Sequence, residues 1–421
     1  MKLHNYLIRK TTSAALLATM VAPALALADT RRPGKPLTDE QKVLHVLNRL
    51  GFGARPGDVE RVRSMGLQKY IDQQLNPAAI TDTVAENKVK NMDIFSMSTS
   101  ELFAKYPNPG ALLRQLQGGR VAQANAQNRN MPAAEQNPQD AEKMTQAEQR
   151  ERREKLQALY QKYDLKPANQ LLPQIVANRV LRAVYSERQL QEVMVDFWQN
   201  HFNVFSGKAA VRWYIPSYER DVLRKNALGN FKDLVAGTAQ HPAMLFYLDN
   251  FESVSPNTQN ADQNAQRLRQ LIENPRARER MKRNQGLTDA QVDARIKQMQ
   301  TAARRPQRGL NENYARELME LHTLGVDGGY AQKDILEVAK AFSGWTIADP
   351  RGYRRAAAAE IKGNENRALN RLQQQMGVPG DLESGEFYFN ERWHATGPKT
   401  VLGQKVDEGG VKDGLKVIDL L

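Results

Sequence analysis

The chain has 421 residues, with 60 Lys or Arg against 47 Asp or Glu, six His and no Cys. That length suffices for a buried core in one large or two ordinary domains. The absence of cysteine excludes disulfides, thiolate nucleophiles, iron–sulfur clusters and thiolate zinc sites, so any metal would be held by His, Asp or Glu. The net charge of +13 is unevenly placed, because residues 256–310 hold twelve Lys or Arg and five acids, a net +7.

The N-terminus, "MKLHNYLIRKTTSAALLATMVAPALALADT", carries Lys2, Arg9 and Lys10, then an apolar run from Ala14, then Ala26 and Ala28 at signal-peptidase spacing. Residues 1–28 are expected to be a secretory signal removed after Ala28. The run is interrupted by Pro23 and falls short of the roughly 20 apolar residues that a retained span requires. Export to the periplasm or medium follows, and it argues against nucleic acid as the partner of the basic segment.

From residue 38 onward the periodicity is helical. Thr38 and Gln41 form a capping box ahead of "EQKVLHVLNRL", with Gly51 as the stop. "ARPGDVERVRSMG" predicts a second helix ending at Gly66, and "LQKYIDQQLNP" a third. Further helices are expected near 158–183, 187–203, 216–226, 230–239, 311–324 and 332–342. Two stretches interrupt them, 118–155 and 256–308, both rich in Gln, Asn and Arg and poor in large apolar residues; they read as flexible, solvated, low-complexity insertions. Strand signals concentrate at "EFYFNERWHATGPKTVLGQKV", 386–406, where a small hairpin about the Gly-Pro pair is expected. The expected architecture is therefore a mainly α, multi-helix globular domain over 29–421 with a small β-hairpin near the C-terminus. "GGVKDGLKVIDLL" opens another apolar helix pattern that runs uncapped to Leu421, which suggests that sequence continues beyond it.

Five histidines remain after signal removal: His45, His201, His241, His322 and His394. On the helix at 187–202, helical spacing puts His201 on a face with Leu190, Val193, Met194, Phe197 and Trp198, and Arg188, Glu192, Asp196 and Asn200 away from it. Within "NENYARELMELHTLG", Asn311, Ala315, Leu318, Met319 and His322 share a side. Glu312, Arg316 and Glu320 descend the other side at i, i+4 spacing, the pattern of a solvated salt-bridge ladder. Asn313 and Glu317 stack at the boundary, where a carboxylate is best placed for a perturbed pKa. A buried histidine bonded to backbone or carboxylate, and a histidine that moves protons or ligates metal, both fit these patterns. Asp249 and Asn250 end the apolar stretch "HPAMLFYLDN", where they could line a cleft or cap the helix. No HEXXH string, Walker loop, dinucleotide glycine fingerprint or Gly-x-Ser-x-Gly elbow occurs.

The blocks "HVLNRLGFGARPGDVERVRSMGLQKYIDQQL", "MVDFWQNHF", "YERDVLRKNALGNFKDLVAGTAQHPAMLFYLDN" and "GLNENYARELMELHTLGVDGGYAQKDILEVAKAFSGWT" together resemble the bacterial domain of unknown function 1800 family. The resemblance implies an exported, mainly helical protein, often encoded beside a second exported, sulfatase-like family. It implies no established reaction, and a cofactor or metal is left open. The matching blocks contain His201, Asn311, Glu312, Asn313, Arg316, Glu317, Glu320 and His322, none with an assigned role. In the hairpin block, where the family commonly has His-Asp, this chain reads His394-Ala395, with Gly397 and Lys399 kept.

Two functions fit. One is an envelope binding or assembly factor acting with the exported sulfatase-like protein, its basic segment touching anionic envelope polymers or lipid headgroups. The other is a hydrolase-like enzyme using His201, His322 and Glu317 from separate helices, with or without a metal.

Overall fold

The computed structural model describes residues 36–110, 112, 146–255, 274–285, 288–294, 296, 309–353 and 379–421. The signal at 1–28, residues 118–145 of the first insertion and 256–273 and 297–308 of the second lie outside them. The described residues are mainly helical, with two small antiparallel two-stranded sheets toward the C-terminus. None of their helices is long and apolar enough to cross a membrane. The chain divides at Asp72 into two compact units.

The first unit is built from α1 (Asp39–Leu50), α2 (Asp58–Met65) and the start of α3 (Leu67–Leu75). The capping box forms as the sequence predicts: the Gln41 N–H donates to Thr38 Oγ1 at 3.2 Å, and the Thr38 N–H donates to Gln41 Oε1 at 2.9 Å. Gly66, at φ +97°, ends α2 with its N–H on the Val62 carbonyl at 2.9 Å, a conformation that glycine reaches without strain. Val43, Leu47, Val62 and Tyr70 make a small core here.

In the second unit the helix expected over 158–183 is two helices, α6 (Gln146–Lys162) and α7 (Leu171–Tyr185), after α4 (Thr83–Val89) and α5 (Thr99–Lys105). Asp164 at φ +48° and Pro167 break the run, since proline removes a helical donor and restricts the residue before it. Residues 146–155, assigned to an insertion from composition, are the first turns of α6. Next come α8 (Gln189–His201), α9 (Val211–Ser217), α10 (Phe231–Gln240), α11 (Pro242–Tyr247) and α12 (Pro275–Gln285). The last of these is a helical piece of the basic segment.

Then come α13 (Glu312–Glu317), α14 (Gln332–Ala341) and, at the end of the described residues, α15 (Val411–Leu420). The main core gathers large side chains of α9, α11 and α13 and the residue that ends α14, among them Trp213, Tyr214, Phe246, Tyr314 and Phe342. Two helices change pitch. After α9 the chain runs through a π segment, Tyr218–Leu223, and after α13 through another, Leu318–Thr323. In the second, the Leu324 N–H donates to the Met319 carbonyl, five residues back, at 2.9 Å. Such widened turns often accompany functional sites.

Two corrections concern the strands. The segment at 386–389 pairs not with its neighbour but with β1 (Trp345–Ile347), as β2 (Phe387–Phe389), in the register Trp345↔Phe389, Thr346↔Tyr388, Ile347↔Phe387. The C-terminal hairpin exists as β3 (Lys399–Val401) and β4 (Gln404–Val406). It turns at Leu402-Gly403, both at positive φ (50° and 77°), rather than at Gly397-Pro398. Two consecutive positive φ values suit the right-handed twist of a two-residue hairpin.

Candidate functional site

A polar cleft of about 380 Å³ opens where the end of α11 meets the start of α13. Its walls are Leu248, Asp249, Glu252, Ser253, Gly309, Leu310, Asn311, Glu312 and Asn313. Asp249, at φ +59°, reverses the chain after α11; aspartate tolerates that conformation better than most residues. The one-turn 3₁₀ helix Asn250–Glu252 that follows exposes Glu252. Two hydrogen bonds clamp the walls: the Val254 N–H donates to the Gly309 carbonyl at 3.1 Å, and the Asn311 N–H donates to Ser253 Oγ at 3.1 Å.

Asn311 is the joint of the cleft. Its Oδ1 caps α13 by accepting from the Tyr314 N–H at 3.0 Å, and its Nδ2 donates to the Leu248 carbonyl at 2.6 Å. Asn313 is exposed on the rim. Asp249 receives Lys208 Nζ at 2.7 Å, and the same ammonium reaches the Tyr247 carbonyl at 2.6 Å. Carboxylates from Asp249, Glu252 and Glu312 give the cleft an acceptor-rich lining, which matches ligands that present hydroxyl, amide or amine donors.

Asn250 is corrected from a cleft residue to a core one. It is fully buried, with Nδ2 donating to the carbonyls of Phe342 and Trp345 at 3.2 and 3.3 Å. The Glu312, Arg316 and Glu320 ladder is also corrected, because no ion pair joins these residues. Gln332 stands between two of them, donating to Glu312 Oε2 at 2.8 Å and accepting from Arg316 Nη2 at 2.8 Å. Packing of α14 against α13 lets a neutral amide satisfy both charges.

The histidines from α8 and the second π segment do meet. His201 Nε2 lies 3.2 Å from the His322 carbonyl, and the two rings are 6.4 Å apart between centroids. Burial, and then the nearby His201, push the His322 imidazole down to about 4, so it is neutral near pH 7. Glu317 is half-buried and makes no hydrogen bond or ion pair with either histidine among the described residues. The face drawn for α8 is wrong in part. Glu192 is buried, held bidentately by Arg224 at 2.6 and 2.9 Å, while Phe197 is 52% exposed and stacks on His201. Among the described residues no group of three or more His, Asp or Glu side chains is placed to hold a metal ion.

One constellation was only half legible in the sequence, through His394 and Lys399 of the hairpin block. His394, Lys399 and Asp413 are each under 9% exposed and touch one another. Lys399 Nζ donates to Asp413 Oδ2 at 2.5 Å and to the Ala395 and Gly397 carbonyls at 2.7 and 3.0 Å. His394 places Nδ1 2.8 Å from the Ser343 carbonyl and Nε2 3.1 Å from Asp413 Oδ2. Burial would raise the Asp413 carboxyl, but Lys399, the Gly409 N–H and His394 together hold it below its ordinary value. The acidic neighbour of His394 thus comes from α15, 19 residues on, rather than from position 395. The cluster is internal and joins α15 to the loop before β3.

Cleft and fold together define a mainly helical protein with a clamped polar groove. The chain belongs to the DUF1800 family, a family described as proteins of unknown function, which it matches over residues 45–421. Neither a curated protein nor a solved structure matches it.

Proposed function

We propose that the protein is an exported envelope binding or assembly factor that works with another exported protein, of the sulfatase-like kind, and that the cleft around Asn311 is where it binds. The observation that carries this reading is the cleft itself. It draws Asp249, Asn311 and Asn313 from segments some 60 residues apart into one groove, and it does so through Asn311, whose side chain is committed to holding the walls. In sequence the basic segment is flanked by Ser255 and by Gly309, which lines the groove and accepts the Val254 N–H. A carboxylate-rich groove and a segment of net +7 joined to it in sequence would offer a partner charge of both signs, which favours specificity over non-selective sticking. Anionic polymer or headgroups suit the segment and not the groove. The N-terminal signal pattern supports export.

The hydrolase-like alternative has one observation in its favour, the meeting of His201 with His322. Among the described residues no carboxylate bonds either ring, and a histidine base ordinarily uses one for orientation. Recovery of bound proteins from an envelope fraction separates the two. The wild-type chain is expected to retain a partner that Glu312→Lys loses and His201→Ala keeps. No partner above background, or a hydrolytic activity that disappears with His201→Ala, would overturn the binding reading.

A further inference from the structure

Lys399 opens β3 and Asp413 lies in the first turn of α15, yet their side chains, 2% and 1% exposed, meet in the core with Nζ 2.5 Å from Oδ2. An ion pair accounts for that contact but not for its third member. His394 Nε2 stands 3.1 Å from Asp413 Oδ2 and 3.4 Å from Lys399 Nζ. The Ser343 carbonyl, 2.8 Å from His394 Nδ1, can only accept, so Nδ1 carries a hydrogen and Nε2 of a neutral ring carries a lone pair. That lone pair faces a carboxylate oxygen, an unfavourable contact until a proton lies between them. The donor in contact with both atoms is Lys399 Nζ. Passing one of its three protons to Nε2 creates an N–H that donates to Oδ2, and it leaves a neutral amine against the carboxyl group.

We propose that Lys399 and Asp413 join in an intramolecular amide, an isopeptide bond, with His394 carrying the protons. The ion pair is the state from which the bond closes. As Nε2 hands its proton to Oδ2, the carboxylate becomes a carboxylic acid with an electrophilic Cγ. The Nζ lone pair attacks Cγ, and the developing charge falls on Oδ1, which already accepts the Gly409 N–H at 2.7 Å, a donor placed as an oxyanion requires. The second Nζ proton follows the first through Nε2 to Oδ2. The Cγ–Oδ2 bond then breaks, Oδ2 leaves as water, and the third proton stays on the amide nitrogen. Ammonium and carboxylate thus become amide and water, with no oxidant or reductant. The Ala395 and Gly397 carbonyls, 2.7 and 3.0 Å from Nζ, hold the amine in place, and groups held so reach effective molarities of about 10⁵–10⁸ M. Burial keeps out the water that would reverse the step. The product ties the hairpin to α15 in a chain that has no cysteine for a disulfide. This inference does not rest on the cleft and stands or falls separately from it.

Mass spectrometry tests the bond directly. The denatured wild-type chain is expected to be one water lighter than its sequence requires. Trypsin, which cuts after free lysine, is expected to leave Trp393–Lys405 uncut at Lys399 and joined to Asp413–Lys416. Lys399→Arg keeps a cation beside Asp413 but supplies a guanidinium that does not give up its proton, so its mass is expected to equal its sequence. In His394→Ala the loss of water, followed in protein freshly made in a cell-free reaction, is expected to slow at least about a hundredfold. A wild-type chain of full mass, folded by circular dichroism and cut normally at Lys399, would overturn the proposal. So would a loss of water that persists in Lys399→Arg, which would place it elsewhere, as in a succinimide at Asp413-Gly414. An undiminished rate in His394→Ala would overturn the part assigned to His394.

Discussion

At the scale of single residues, two buried groups set how the protein responds to its surroundings. Lys399 and Asp413 are 2% and 1% exposed, and removing one partner strands the other charge in the core. Lys399→Met is expected to lower unfolding free energy by about 3–5 kcal/mol in urea titration. The double variant Lys399→Met/Asp413→Leu should recover part of that loss; a single-variant loss under about 1 kcal/mol would mean that water screens the pair.

His322 sets a pH dependence. Its folded pKa, about 4, lies below the unfolded value of 6.5, so between those values the unfolded chain binds the proton more readily. Stability is therefore complete above about pH 6.5 and is lost as pH falls toward 4, by on the order of 3 kcal/mol. His322→Gln should flatten the midpoint-versus-pH curve across that window; an unchanged slope would assign the dependence elsewhere, for example to His241, whose imidazole burial pushes down to about 3. At the cleft, Asn311→Ala removes a helix cap and is expected to lower stability by about 1 kcal/mol.

At the scale of elements, Gly344 links the β1–β2 sheet to the cleft. It sits at φ +83°, its N–H donates to the Ser253 carbonyl at 3.2 Å, and a Cβ there would meet the Asn390 carbonyl at 2.6 Å. Ser253 in turn receives the Asn311 N–H. Gly344→Ala is expected to lower stability by at least about 1–3 kcal/mol from strained backbone alone and to loosen the cleft with it; a thermal midpoint equal to wild type would contradict this coupling. Helix existence was legible in the sequence because apolar spacing and caps are local: Thr38, Gln41 and Gly66 do what their residue types require. The π segments were not legible, since a fixed period of 3.6 cannot anticipate a turn with one residue more. α8 misled for a different reason. Its apolar Phe197 is outward and its Glu192 inward because Arg224, 32 residues on, draws the carboxylate into the core, and no local pattern contains that partner.

At the scale of the whole molecule, the structure brings together some of the residues that the sequence singled out and separates others. Asp249, Asn311 and Asn313 line one groove, His201 and His322 meet, Asn250 belongs to the core, and Glu317 bonds neither histidine among the described residues. His394 and Lys399 stood out in the hairpin block, but their partner Asp413 escaped sequence reasoning, because long-range topology alone brings α15 to them. The central claim is that the groove, not the histidine pair, is where the molecule binds. Its most direct test is the affinity of a partner captured from the envelope, measured by titration calorimetry against wild type, Asn313→Arg and His201→Ala. Asn313 is an exposed rim residue, so the first variant should fold normally and bind at least about tenfold more weakly, while His201→Ala binds like wild type. Equal affinity of Asn313→Arg and wild type, with a loss confined to His201→Ala, would contradict the account.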